Sequence, residues 1–445
     1  MTWISERRLA RCHTISDLRD MAERVLPRMV FDTLEGGAGA EETVAENRAA
    51  IARVKLVPAA PLDVSKRSLT VDLFGKPAAM PLAIGPTGLA SGFWPKGEAC
   101  LARAAAKAGI PFVMSNGSAL SPEEIAEAGD GRKWFQLYMP PDRKVTKAWL
   151  ARIKAAGFEL VQLTVDGAVP GSRPRDARHR FSMPLKWSAG KAMQVASKPG
   201  WALRMARAGV PVPALKYPPA GSSTVRFNTR GESLRNRFDA ALDWDGVRWL
   251  RDQWQGLLVV KGLTDPAQVA AAIAAGIDGI VVSNHGGRQL DGSVGTMDVL
   301  PDFVSEAGGK LAILIDSGFR SGTDVLKALA LGAQAVQLGR ATLYGLAIGG
   351  EAGVDRALHL RARRCAGSYG CREPFPAGAG SRAPHGVTGP FQAPRAPCIN
   401  CRSAASAHRG GRAGSARRPS TRHCRPPHWR NSRAGTSAVP RSRSH

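Results

Sequence analysis

Eight short apolar runs recur along the chain, at 81–85, 111–114, 133–137, 160–165, 256–261, 279–282, 310–316 and 333–339. Each is short for a helix and stops in polar or glycine-rich residues, as a buried strand does. Helical segments lie between them. Residues 97–108 form one, ended by Gly109. Ser121-Pro122-Glu123-Glu124 opens another, with Ser as the cap, Pro at the first helical position and acids at the positive end. A third covers 264–276. Upstream, 16–60 reads as helical. Ser16 is a cap candidate, with Arg19 and Asp20 in the first turn. Pro27 starts a second helix, which carries Met29, Val30, Phe31 and Leu34 before Gly36-Gly37. Strands alternating with helices, and polar residues after every strand, predict an α/β (β/α)8 barrel of the TIM type with its site on the C-terminal face. A doubly wound sheet is the alternative, but it would not need polar ends on all eight strands. The domain reading is a helical cap over 1–80, a barrel over 81–358 and a tail over 359–445.

The sixth run ends in the densest chemistry: GIVVSNHGGRQLDG at 279–292. His285 can take a proton near neutral pH. Arg288, three residues on, offers a planar fork suited to a carboxylate. Gly286 and Gly287 allow close backbone approach. Together they point to chemistry on an acid that loses a proton. The seventh and eighth runs lead into Asp316-Ser317-Gly318-Phe319-Arg320 and Gly339-Arg340. Barrel phosphate sites are commonly built from these two loops. Glycines expose backbone N–H groups there, and arginines add charge-assisted bonds.

The 279–292 string resembles the signature of the FMN-dependent α-hydroxy acid dehydrogenases and oxidases, and within that family the mandelate-type members. IGPTGL at 84–89, WPKGE at 94–98, KAGIPFV at 107–113, WFQLY at 134–138 and GRATLYGLA at 339–347 fit as well. The resemblance covers roughly 10–358. It implies FMN as cofactor and oxidation of an (S)-2-hydroxy acid to the 2-oxo acid. Mandelate is the expected substrate, with L-lactate dehydrogenase or 2-hydroxy acid oxidase activity as the alternative. By resemblance, Arg320, Arg340, Ser317, Gly318 and Gly339 hold the FMN phosphate, and Asp316 the ribityl chain. Lys261 lies beside flavin N1. Pro86, Thr87, Gly88, Ser115, Gln136, Thr164 and Ser283 complete the cofactor contacts. His285 is the base and Asp166 its carboxylate partner. Arg288 and Arg173 hold the substrate carboxylate and developing charge, and Tyr138 the hydroxyl. His285 takes the hydroxyl proton as hydride goes to flavin N5, or takes the α-proton to give a carbanion; the former avoids a full carbanion. Gly88 leaves room for a bulky substrate. The family pattern V-[YF]-D-Y stands here as Val30-Phe31-Asp32-Thr33, so a Thr hydroxyl of shorter reach replaces a substrate-binding tyrosine.

Charge is unevenly spread. The net charge is +26, of which residues 361–445 supply +16: 17 Arg, no Lys and one acid, Glu373. Residues 186–237 add +9 through ten basic residues against Glu232. That segment interrupts the βα rhythm and mixes Lys186, Lys191, Lys198, Arg204 and Arg207 with Trp187, Met193, Val195, Trp201, Leu203 and Met205. Such a stretch suits the anionic inner face of a membrane. Mandelate-type members resemble it in being membrane-associated through this loop and passing electrons to a quinone. No run of about 18 apolar residues and no N-terminal signal is present. Of seven cysteines only Cys12 and Cys100 precede 361, which suits a reducing cytoplasm. The tail reads as a frameshifted, disordered continuation. Its Cys398-x2-Cys401 and His423, Cys424 and His428 match no standard metal spacing, and it lacks an aromatic platform for nucleic acid. Loss of the family's C-terminal helix from about Leu360 would leave an inactive or unstable barrel with a frameshifted tail that binds nucleic acid non-specifically, the reading of another class. Family members are commonly tetrameric.

Overall fold

The computed structural model describes residues 2–57, 68–180, 187–209 and 238–368. The expectations for 210–237, Lys186 and 369–445 lie outside the described residues. Four helices come first: α1 (Thr2–Ala10), α2 (Ile15–Val25), α3 (Arg28–Glu35) and α4 (Glu42–Arg53). Thr14, not Ser16, caps α2. Its hydroxyl accepts from Asp17 N while the Asp17 carboxylate accepts from Thr14 N, a reciprocal box that Ser16 cannot make two residues later. A hairpin follows, β1 (Val71–Leu73) with β2 (Lys76–Ala78). It was not expected in a purely helical N-terminal cap. At three residues each, these strands give too little alternation to register as a pattern.

The barrel strands are β3 (Leu82–Ile84), β4 (Phe112–Met114), β5 (Lys133–Leu137), β6 (Leu160–Thr164), β7 (Leu257–Leu263), β8 (Gly279–Val282), β9 (Ala312–Ile315) and β10 (Ala335–Leu338). They close in the order β10-β3-β4-β5-β6-β7-β8-β9, with β9 paired back to β10 and every pair parallel. This is the expected TIM barrel. Helices α5 (Gly97–Lys107), α6 (Pro122–Glu127), α7 (Arg143–Ala155), α8 (Pro174–His179), α9 (Ala189–Ala196), α10 (Pro199–Ala208), α11 (Trp244–Gln253), α12 (Val269–Ala274), α13 (Thr296–Ala307), α14 (Gly322–Ala330), α15 (Arg340–Gly349) and α16 (Glu351–Ser368) accompany the strands. Ser121 and Glu124 form the expected capping box of α6. The expected helix over 264–276 is instead a 3-10 turn, Pro266–Gln268, running into α12.

Two cores follow from the alternation of each strand. Outward residues such as Val161, Leu163, Ile280 and Ile313 pack with helix residues such as Leu101, Ile153, Leu300 and Phe303. Inward residues Ala83, Val113, Trp134, Leu160, Val259, Val281, Leu314 and Ala335 form a separate apolar plug. The hairpin joins this plug through Val71, Leu73 and Ala78. Phe74 stands edge-on to Trp134 with ring centroids 5.7 Å apart. The hairpin therefore seals the end of the barrel opposite the strand C-termini. Leu73 is fully buried there, so Leu73→Ala is expected to cost about 2–5 kcal/mol, read as a lowered urea midpoint. An unchanged midpoint would remove the hairpin from the core.

Candidate active site

All eight strands deliver polar residues to the same mouth. The loop after β8 is wound tightly: His285, Gly286 and Gly287 have φ of 59°, 68° and 75°. The left-handed region is costly for a histidine, so something must hold it. Ser283 Oγ accepts from His285 N at 3.0 Å and from Lys261 Nζ at 2.7 Å. Asn284 and Asn47 exchange amide hydrogen bonds of 2.8 and 2.9 Å, and Gly287 N donates to Asn284 Oδ1 at 3.1 Å. This pair ties the loop to α4. It went unnoticed in the sequence because its members lie 237 residues apart.

His285 Nδ1 lies 3.0 and 3.2 Å from the two Asp166 oxygens, and Nε2 lies 3.4 Å from Tyr138 Oη. An Nδ1–H directed at the carboxylate leaves Nε2 as the basic nitrogen, facing Tyr138. Burial pushes the Asp166 carboxyl up, but His285 and Lys261 together with hydrogen bonds hold it below its ordinary value. The sign follows. Its stabilising contribution is complete above about pH 4 and is lost as pH falls through the depressed value. Burial, and then Asp166, raises the Tyr138 phenol, which stays protonated.

Gly262 builds this pair and was missed by sequence reasoning. It lies at the irregularity between Lys261 and Leu263 in β7, with φ of 105°. A Cβ there would lie 2.6 Å from Asp166 Cγ. Only glycine gives both the conformation and the room.

Arg288 donates to Gly36 O, and Arg173 Nε donates to Arg288 O at 3.3 Å. Arg340 donates to Glu35 O at 2.9 Å and to Gly286 O. Arg320 donates to Phe319 O at 3.0 Å and lies over the Tyr344 ring. Among the described residues, none of these four side chains has a carboxylate within ion-pair distance. Burial, then Arg173 and Arg340, pushes the Arg288 guanidinium down to about 9. Burial and Arg320 lower Arg340 in the same way. The mouth therefore carries unneutralised positive charge. Arg340 also opens α15, whose N-terminus adds its own attraction for an anion. Thr33 is not part of this group: its hydroxyl donates to Met29 O at 3.0 Å within its own helix.

Below the rim, Lys261 is buried and paired with Asp316 at 3.0 Å. Ser317 Oγ donates to Asp316 at 2.8 Å and accepts from Gly286 N at 3.0 Å. Gln136 Oε1 accepts from Ser115 Oγ and Asn116 N at 3.2 and 3.1 Å. Its Nε2 is buried without a partner among the described residues, as are Thr87 Oγ1 and Thr164 Oγ1. Native interiors seldom leave such groups unpaired. Pro86 and Gly88 lie beside them, and a Cβ on Gly88 would meet nothing nearer than Gly117 O at 3.5 Å. Gly318 lies against α4, where a Cβ would be 3.1 Å from Asn47 Cβ, and Gly339 precedes Arg340. The expected residues are thus gathered at one mouth.

Orphaned hydroxyl and amide groups under a rim of arginines suit an anionic organic cofactor, which makes this a cofactor-dependent barrel enzyme. The chain belongs to the FMN-dependent dehydrogenase family, whose sequence model matches residues 22–365. FMN is its cofactor. The (S)-mandelate dehydrogenase of Pseudomonas putida is 45% identical over 346 residues, 78% of this chain and 86% of that one. The L-lactate dehydrogenase of Pseudomonas syringae pv. syringae (strain B728a) is 42% identical over 351 residues, 78% of this chain and 91% of that one. A crystal structure described as the monotopic membrane protein (S)-mandelate dehydrogenase superposes with a TM-score of 0.76 at 43% identity, covering 80% of this chain and 94% of that one. Gly262→Ala should separate Asp166 from His285 and lower dehydrogenase turnover on the order of 10²-fold. Steady-state rates per bound FMN test this, and an unchanged rate would remove the carboxylate from the base.

Proposed function

We propose that this chain oxidises an (S)-2-hydroxy acid, mandelate by preference, to the 2-oxo acid. The observation that carries the reading is the half-buried Arg288 beside Arg173, without a carboxylate partner among the described residues, near the His285–Asp166 pair. The substrate carboxylate neutralises Arg288 and Arg173. Tyr138 Oη donates to the substrate hydroxyl oxygen. His285 Nε2 takes the hydroxyl proton as the α-hydrogen leaves with its electron pair. Asp166 stabilises the imidazolium that results. FMN, when bound, supplies the acceptor for the two electrons. Lys261, Thr87, Gln136 and Thr164 bind its ring system with Pro86, Gly88, Ser115 and Ser283. Asp316 binds the ribityl chain, and Ser317, Gly318, Arg320, Gly339 and Arg340 the phosphate. Room at Gly88 supports an aromatic substrate, as do relatives named for mandelate.

An anaerobic visible spectrum tests the reading. (S)-Mandelate is expected to bleach the flavin bands. Bleaching by L-lactate alone would replace mandelate with lactate, and bleaching by neither would overturn the reading. His285→Gln should keep the bands and slow bleaching by about 10²–10⁴-fold.

Peripheral membrane binding at the inner face of the cell membrane, with a quinone as final acceptor and a homotetramer as the working form, belongs to the same proposal. Trp187, Met193 and Leu203 are 63%, 70% and 46% exposed on and beside α9 and α10. Other members of the segment face the protein. Lys191 is buried and donates to Arg180 O at 2.9 Å, Trp201 donates to Gly92 O at 3.3 Å, and Arg204 stacks on Trp94. No helix among the described residues is long and apolar enough to cross a membrane. The protein should therefore sediment with anionic vesicles at low salt and be released at high salt. Protein left in the supernatant at low salt would end the membrane reading.

A further inference from the structure

Gln162 on β6 and Gln337 on β10 belong to strands four places apart in the ring of eight, on opposite sides of the barrel. Their side chains meet across the axis: Gln337 Nε2 donates to Gln162 Oε1 at 2.6 Å. Both are buried, at 0% and 2% exposure. The single bond leaves Gln162 Nε2 and Gln337 Oε1 without a partner among the described residues. Turning both amides over exchanges the roles but still leaves one nitrogen and one oxygen unpaired.

Their height in the barrel is set by strand alternation. Leu160 and Ala335, two residues earlier on each strand, belong to the apolar plug. Thr164, two residues later on β6, has the orphaned hydroxyl described above. Gln162 is also in register with Gln136, whose Nε2 is orphaned too. The glutamine bridge is thus the layer between the plug and the cofactor bed. Gly85 leaves it room, since a Cβ there would lie 3.3 Å from Gln337 Cβ. A dry plug needs no amides at this level. An amide pair with two of its four polar atoms unpaired needs a polar partner.

We infer that Gln162 and Gln337 are cofactor-positioning residues. Their axial bridge is the floor of the FMN site, and its free N–H and C=O reach bound FMN directly or through one enclosed water. The inference rests on the FMN assignment. The test is the double variant Q162V/Q337L, which removes both amides together and strands neither. Its apoprotein should unfold at the same temperature as wild type or higher, since removing both polar partners is nearly neutral. Its FMN Kd, from flavin fluorescence during titration of the apoprotein, should rise by about tenfold or more. A Kd within about twofold of wild type would overturn the floor. Should the double variant not fold, a crystal structure of wild-type holoenzyme decides. An FMN atom, or a water bridging to FMN, within ~3.5 Å of the two free amide atoms supports the inference and tells the direct from the water-mediated form. Wholly apolar surroundings overturn it. Wild-type apoprotein titrated in parallel separates the two failures, because a chain that takes up no FMN overturns the cofactor assignment and the floor together.

Discussion

Eight parallel strands closed into a ring must all point their C-terminal ends to one mouth. That constraint governs the rest of the molecule. The opposite end can be sealed with apolar residues, and Leu73, Val71 and Trp134 seal it. Polar side chains on inward positions then have one place to go, and successive layers run from plug to glutamine bridge to the Lys261–Asp316–Ser283 cluster. At the top lie His285 and the arginines. The gradient from dry to charged follows from the closed, parallel topology.

The mouth is arranged at a cost to the folded state. Arg288 and Arg340 are half-buried close to other arginines, and neither has a carboxylate within ion-pair distance among the described residues. His285 is held in a left-handed conformation. Residues paired only for stability would have acids among these arginines, as the half-buried pairs Arg132–Glu159 and Arg251–Asp278 have elsewhere in the barrel. On the proposed reading, bound anions bring the missing negative charge, and ligand binding then stabilises the fold by mass action. On that reading the same imbalance serves affinity and chemistry, because a carboxylate entering such a field meets charge already in place.

Much of this was legible in the sequence. Strand positions followed from short apolar runs, and the polar residues expected at the strand ends lie together at one mouth, because parallel strands in a closed barrel all end on the same side. What could not be read were partnerships between distant segments. Asn47 with Asn284, and Gln162 with Gln337, are ordinary polar residues until the barrel closes. Gly262 falls just past the fifth apolar run, and nothing in the sequence says that its missing Cβ is what admits Asp166. Ser16 and Thr14 both fit the cap composition, and only the reciprocal bond with Asp17 separates them. The hairpin at 71–78 was too short to show a period. One parity signal was available: Gln162 and Gln337 interrupt apolar strands at inward positions.

The change of composition near residue 360 falls within α16. The expectation that a C-terminal helix is lost there is corrected by α16, which continues to Ser368. Its anchoring residues come early: Val354, Ala357 and Leu358 are buried. Glu351 pairs with Arg103 at 2.6 Å and Asp355 with Lys107 at 2.5 Å, fixing the helix to α5. Gly345 and Gly353 let α15 and α16 approach so closely that a Cβ on Gly345 would lie 2.1 Å from Gly353 O. The family match ends at residue 365, within this helix. Among the described side chains, the contacts of α16 with α5 and α15 are made by Glu351, Gly353, Asp355 and their neighbours.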